Sequence, residues 1–198
     1  MAIDQVHDLQ YVYRKLLHSM SRPGTISSIT EPMKQMDYSI PCSEALLLTA
    51  MALLDGEATF HIISNEHQEL IEKISEYTSA KYAAIHEADF VIVLYEDNEQ
   101  EIQHAMERCK IGSLIDPQQS STWLVESPVL QNDGQTVLKG PGIQTEVLLQ
   151  TGFPEVLWQA RNQRTKEFPM GIDLIFIDQD SQIACVPRTT AVACKEVG

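Results

Sequence analysis

Basic residues are scarce. The 198-residue chain carries 14 Lys and Arg against 28 Asp and Glu, a formal net charge of −14. No three basic residues stand in a row. The clustered cations that release counterions from nucleic-acid phosphates are missing, so no nucleic-acid partner is expected. Any phosphorylated ligand would need a few local cations working against an unfavourable overall field. Cysteine is sparse too: Cys42, Cys109, Cys185 and Cys194 form no C-x-x-C pair, and no His stands at metal-ligand spacing from them. They read as reduced thiols serving as small apolar side chains, with neither a disulfide framework nor a metal. Long hydrophobic runs are absent; the longest, Ala45 to Leu54, has ten residues and includes Thr49. A membrane span needs about 20. The opening MAIDQVHDLQ holds Asp4 and Asp8 and no apolar signal-peptide core, so a soluble, cytoplasmic protein is expected. There is no P-loop, no G-x-G-x-x-G after a strand, no H-E-x-x-H and no G-x-S-x-G. No Gly/Ser-rich or Pro-rich linker and no internal repeat interrupts the chain. Residues 1–198 therefore read as a single domain, long enough to hide roughly 70% of its unfolded surface.

What is present is strong periodicity. Val6, Leu9, Tyr13, Leu16, Leu17 and Met20 mark a helix over Asp4 to Met20, stopped by Pro23-Gly24. GTISSIT (Gly24 to Thr30) reads as a short strand. Pro41 to Leu54 reads as a helix, apolar nearly all round and so expected deep in the core. ATFHIIS (Ala58 to Ser64) reads as a buried strand, followed by a helix capped by Asn65 with Gln68 three residues on. DFVIVLY (Asp89 to Tyr95) is the strongest strand, its continuous apolar run matching burial on both faces. Asn98 to Lys110 and Pro154 to Lys166 read as helices. STWLVE (Ser121 to Glu126) and QTVLK (Gln135 to Lys139) flank Asn132-Asp133-Gly134, a hairpin signal. Gln144 to Gln150, Asp173 to Ile177, Ile183 to Val186 and Arg188 to Cys194 supply further strands. Alternating strands and helices give an α/β class.

Four short stretches break the periodicity: Ser21-Arg22-Pro23-Gly24, Lys139-Gly140-Pro141-Gly142-Ile143, Phe168-Pro169-Met170-Gly171-Ile172-Asp173 and Pro187-Arg188-Thr189-Thr190. Gly140-Pro141-Gly142 is a side-chain-poor loop whose backbone could approach a ligand, or simply a tight turn between strands. Arg188, Thr189 and Thr190 offer a guanidinium and two hydroxyls to a phosphate or carboxylate. The plainer alternative pairs Arg188 with a carboxylate such as Asp173 or Asp116. Asp173 could act as an acid or base, or fix its loop through backbone hydrogen bonds. Arg22 follows a helix end, where a cation also relieves the negative pole of the dipole. The histidines His7, His18, His61, His67, His86 and His104 are scattered.

Taken together and in this order, the stretches LLHSMSRPG (Leu16 to Gly24), GPGI (Gly140 to Ile143), FPMGIDL (Phe168 to Leu174) and PRTT (Pro187 to Thr190) resemble the PhnH family. That family supplies a subunit of the bacterial carbon–phosphorus lyase system for phosphonate catabolism. The resemblance covers nearly the whole chain. It implies a three-layer α/β/α fold with a mixed sheet, like the large domain of pyridoxal-phosphate-dependent transferases but without that cofactor. Only Lys139, beside the Gly-Pro-Gly loop, stands where a Schiff-base lysine would be suggestive, and it lacks fixed partners. No cofactor is expected. The resemblance further implies other carbon–phosphorus lyase subunits as partners, a homodimer in isolation, and a phosphonate or nucleotide ligand. The implied reaction couples an alkylphosphonate to the ribose C1 of ATP with release of adenine. The candidate ligand- or interface-binding residues are Arg22, Gly140, Pro141, Gly142, Asp173, Arg188, Thr189 and Thr190. A shortage of clustered cations favours a supporting subunit, with catalytic residues mainly on a partner. A purely structural assembly subunit, or an independent small-anion-binding enzyme, stand as alternatives.

Overall fold

The apolar runs of the sequence become the inner strands of a mixed seven-stranded sheet. The computed structural model describes residues 6–33, 41–63 and 67–195. In chain order the elements are α1 (His7–Ser21), β1 (Ser27–Ser28), α2 (Thr30–Met33), α3 (Glu44–Leu53), β2 (Thr59–Ile62), α4 (Gln68–Thr78), β3 (Lys81–Tyr82), β4 (Phe90–Val93) and α5 (Glu99–Arg108). The second half holds β5 (Thr122–Ser127), β6 (Gln131–Lys139), β7 (Val147–Gln150), α6 (Glu155–Arg164), β8 (Asp173–Asp178), β9 (Gln182–Val186) and β10 (Ala191–Cys194). The large sheet runs β1-β9-β8-β5-β4-β2-β3. Strands β8, β5, β4, β2 and β3 are parallel, while β9 and β1 extend the sheet antiparallel at one side. The α/β class with a mixed sheet is therefore as expected.

Strand alternation sorts the core into two layers. Ile92, Leu124, Ile175, Ile177, Ile183 and Cys185 point to a cluster built with α1, α3 and α4. Their neighbours Val91, Trp123, Val125, Leu174, Phe176 and Ala184 point to the opposite cluster, built with α5 and α6. Strands buried on both faces must be apolar at every position, which is why DFVIVLY shows no alternation. Helix α3, sandwiched between other helices and the sheet, is buried at every position from Ala45 to Met51. Its start is set by Ser43, whose hydroxyl accepts the N–H of Leu46 at 3.2 Å. Asn98 caps α5 in the same way, accepting from Gln100 at 2.8 Å. The cap expected at Asn65 lies outside the described residues, as do the first residues of the Asp4 to Met20 helix.

Three expectations need correction. Asn132-Asp133-Gly134 makes no hairpin between β5 and β6. It lies inside β6, where the register against β7 shifts between Gln131 and Thr136. Strand β5 pairs instead with β4 and β8 in the large sheet. The bulge serves a long reach: Asn132 Nδ2 donates to the carbonyls of Gly24 (2.9 Å) and Leu148 (3.0 Å). Strand β10, expected from Arg188, begins only at Ala191 and joins β6 and β7 in a separate three-stranded antiparallel sheet. Of Gly24 to Thr30, only Ser27 and Ser28 pair, at the sheet's edge.

Candidate functional site

The four irregular stretches meet. Strand β9 is antiparallel to β8 with Val186 opposite Leu174, so the chain leaving β9 lays Arg188 directly over Asp173 at the start of β8. The short 3-10 turn Pro117–Gln119, which leads into β5, stands at the same amino edge of the parallel strands. There a hollow of about 610 Å3 is lined by Ser21, Pro141, Gly142, Phe168, Asp173, Arg188 and Thr189, with Met20 and the neighbouring prolines. The peptide bond Phe168–Pro169 is cis.

Glycines permit the convergence. Gly142 has φ +83°, and a Cβ there would press into the Ser21 carbonyl oxygen and stand 2.9 Å from Pro23 Cδ. A Cβ on Gly140 would stand 2.9 Å from the Thr189 carbonyl oxygen. The Gly-Pro-Gly loop is a connection between β6 and β7, as its plainer reading had it. It is also the surface against which two other stretches rest.

Arg188 and Asp173 satisfy one another. Asp173 Oδ1 accepts the backbone N–H of Arg188 at 2.7 Å, and its carboxylate takes Nε (3.2 and 3.3 Å) and Nη2 of the guanidinium. Nη1 donates to the Pro117 carbonyl. Both side chains are mostly buried, at 18% and 15% exposure. Asp173, so engaged, is badly placed to act as a free base or nucleophile. Thr189 is exposed, whereas Thr190 is buried. Arg22 is the outlier: it caps the end of α1, is exposed, and does not line the hollow, although Ser21 beside it does. Lys139 forms an ion pair with Glu146 at 3.1 Å. Among the described residues, no group of three or more His, Cys, Asp or Glu is placed to hold a metal ion.

Arg161 is the residue the sequence reading missed. It is fully buried on α6. Nη1 donates to the Thr190 carbonyl at 2.7 Å and to Asn162 Oδ1 at 3.3 Å, and Nη2 donates to the Pro187 carbonyl at 2.6 Å. It thus clamps both ends of the Pro187–Thr190 loop. Burial pulls its pKa down to about 10, partly offset by the Asp173 carboxylate. The available signal was its place one turn after Leu157, on the apolar face of a predicted helix.

The opposite edge of the sheet is different. There a hollow of about 470 Å3 is lined by Cys42, Ser43, His67, Tyr95, Glu126 and Asp178 among others. Glu126 accepts the N–H groups of Ser43 (2.7 Å) and Tyr95 (3.3 Å). Asp178 accepts those of Gln182 (2.8 Å), Asp180 (3.0 Å) and Leu130 (3.2 Å), while burial raises its pKa. His67 faces Asp97 at 3.5 Å. Burial, aided by Glu126, pushes the Cys42 thiol up to about 12. These are carboxylates used to fasten backbone, in a setting hostile to an anion.

A family model described as bacterial phosphonate metabolism protein (PhnH) matches residues 2–193. Two curated relatives each align with 94% of this chain at 26% identity. One is named as a C-P lyase subunit protein, HtxG, of Stutzerimonas stutzeri, with 86% of its own length covered. The other is named alpha-D-ribose 1-methylphosphonate 5-triphosphate synthase subunit PhnH, of Rhizobium meliloti, with 91% covered.

Proposed function

The chain belongs to the PhnH family of the carbon–phosphorus lyase system, and from that premise we propose that it supports the transfer of an alkylphosphonate to the ribose C1 of ATP with release of adenine. The observation that carries this reading is the meeting of all four family-like stretches around one hollow at the amino edge of the sheet.

The site acts in support of chemistry centred on a partner subunit. Displacing a base from an anomeric carbon builds positive charge on the sugar, and a catalyst would set a free carboxylate beside it. Asp173 is the carboxylate at this hollow, and its oxygens are already committed to Arg188. A triphosphate also calls for several cations, whereas among the described residues Arg188 is the one Lys or Arg that lines the cavity. Exposed apolar side chains stand at the hollow and in the chain leading to it: Phe168, which lines it, is 75% exposed, and Leu114 and Ile115, in the loop leading to Pro117, are 67% and 88% exposed. Such a surface suits burial against another subunit. The fold then serves as a PLP-transferase-like scaffold without that cofactor, working in the cytoplasm and pairing with itself when alone.

The test is co-expression of the tagged chain with the other carbon–phosphorus lyase subunits, affinity purification, and an adenine-release assay with ATP and methylphosphonate. The expected result is co-purification and release that depends on this chain. Release at an unchanged rate without it would overturn the reading.

A further inference from the structure

Helix α1 carries two stripes where a surface helix needs one. Val12, Leu16 and Ser19 are buried toward α3 and β9. Residues away from such a core-facing stripe are ordinarily polar. Val6, at the N-cap position, Gln10, Tyr13 and Leu17 instead form a second line at spacings of four, three and four, and all four are exposed. Val6 and Leu17 are exposed by more than half. That spacing is the seam of a helix pair, in which such residues pack between those of a facing helix. Beside the line lies a shallow hollow of about 530 Å3 between α1 and the end of α3, lined by Val6, Leu9, Gln10 and Tyr13 with Met51 and Ala52. Among the described residues no Asp or Glu lines it, while Arg14 does. Asp8 stands two positions beyond Val6, on the other side of the helix. On a chain of net charge −14, this is a face that a second acidic copy can approach with little repulsion. The line is also symmetric. Read from either end about a point between Tyr11 and Val12, Val6 answers Leu17 and Gln10 answers Tyr13.

We propose that a second copy of this chain docks here, with α1 antiparallel to α1 about a two-fold axis. Such an isologous contact needs a self-complementary surface, in which residue i meets residue j at both ends. Val6 of each copy packs on Leu17 of the other. At the centre the Gln10 amide of each hydrogen-bonds the Tyr13 hydroxyl of the other, and a polar pair in an otherwise apolar seam fixes the register. Met51 and Ala52 form the shelf beside it. With its 15 residues at 1.5 Å each, α1 is about 22 Å long. The contact therefore falls at the low end of specific interfaces, roughly 1,200 Å2 in total, and micromolar association is expected. Met20 and Ser21, at the carboxyl end of α1, line the motif hollow. Antiparallel pairing leaves the two motif hollows at opposite ends of the helix pair, each open to a further subunit. The proposal rests on the reading that the chain pairs with itself when alone, and it names the face that does so.

The test is sedimentation velocity on the full isolated chain over a concentration series, with Val6→Glu and Leu17→Lys as variants. Both side chains are exposed, so melting temperatures near that of the wild type are expected. The wild type forms a dimer. Each variant alone weakens the association by about tenfold or more, since a charge is set against an apolar side chain. Mixed in equal amounts, the two variants regain the dimer. The introduced carboxylate and ammonium then face one another at one end, while the native Leu17 and Val6 meet at the other. Misfolded chains could not give that rescue. A wild type that stays monomeric throughout overturns the reading that the chain pairs with itself, and this proposal with it. A wild-type dimer that both variants retain unchanged keeps that reading and overturns the α1 face. Variants that are monomeric alone and stay so when mixed overturn the antiparallel register.

Discussion

Replacing Arg188 by Met, Asp173 by Asn, and then both together separates what the ion pair does for stability from what it does for function. The single Arg188→Met change strips Asp173 of Nε and Nη2 and leaves it the backbone N–H at 2.7 Å. It also removes the donor to the Pro117 carbonyl. Breaking a fully buried pair costs about 3–5 kcal/mol, because the surviving charge is stranded. Here the side chains retain 18% and 15% exposure, so solvent screens the remnant and about 2–3 kcal/mol is expected. For a chain of this size that is a fall in melting temperature of about 4–12 °C. Asp173→Asn alone strands the guanidinium and costs a similar amount. The double variant strands neither charge, so its loss should fall short of the summed single losses by about 1–3 kcal/mol. Thermal and urea denaturation of the three variants measure this directly. Losses that simply add would refute the reasoning, since they would show that the two groups do not sense one another. Adenine release by the reconstituted complex then decides the role. If the pair only braces the loop, the folded double variant regains activity; if Arg188 meets a ligand, activity stays lost although stability returns.

Two further outcomes follow from local geometry. Gly142→Ala should lower stability by at least about 2 kcal/mol, from the left-handed backbone and the Cβ pressed into the Ser21 carbonyl, and should weaken any activity that needs the four stretches together; denaturation midpoints and adenine release check both. Acid stability should depend on Lys110. Burial works against ionisation of Asp89, but hydrogen bonds from Lys110 and Thr59 outweigh it and hold the carboxyl below its usual range. A depressed folded pKa stabilises above the unfolded value, about 3.9, and the gain is lost as pH falls through the folded one. Lys110→Met should therefore lower stability at neutral pH and flatten the loss between about pH 5 and pH 2, as read from urea midpoints.

The elements that declared themselves in sequence were those fixed by burial pattern. DFVIVLY could only be a strand covered on both faces, and the all-round apolar helix from Ala45 could only sit between layers. Proline and glycine punctuation placed most helix ends within a few residues. The failure at Asn132-Asp133-Gly134 has a definite cause. Turn chemistry and bulge chemistry use the same residue types, and only the partner strand decides between them. A Cβ on Gly134 would stand 2.5 Å from Gln150 N, so that glycine is demanded by β7, an element local reading could not pair with it. Asp173 and Arg188 were suspected of pairing, and they do. Arg161 escaped notice because a cation inside a helix reads as surface, and nothing local shows that its donors end on the carbonyls of Pro187 and Thr190.

The placement of the motif cluster follows from where charge can be tolerated. In parallel sheets the crevice at the carboxyl ends of the strands is the usual place for a ligand, helped by helix amino termini that attract anions. In this chain Glu126 occupies that role at the start of α3, accepting the N–H of Ser43, so the helix end is already satisfied from within. Asp178 and the His67–Asp97 contact add to a setting that repels a phosphate. At the amino ends of β8 and β5 the setting differs: among the described residues, Arg188 pairs with Asp173, and the same carboxylate acts on Arg161. In a protein of net charge −14, attraction for an anion has to be created locally, by guanidiniums shielded from the acidic surface. Burying Arg161 beneath the Pro187–Thr190 loop keeps its charge away from solvent screening, while the carbonyls of Pro187 and Thr190 hold it in place.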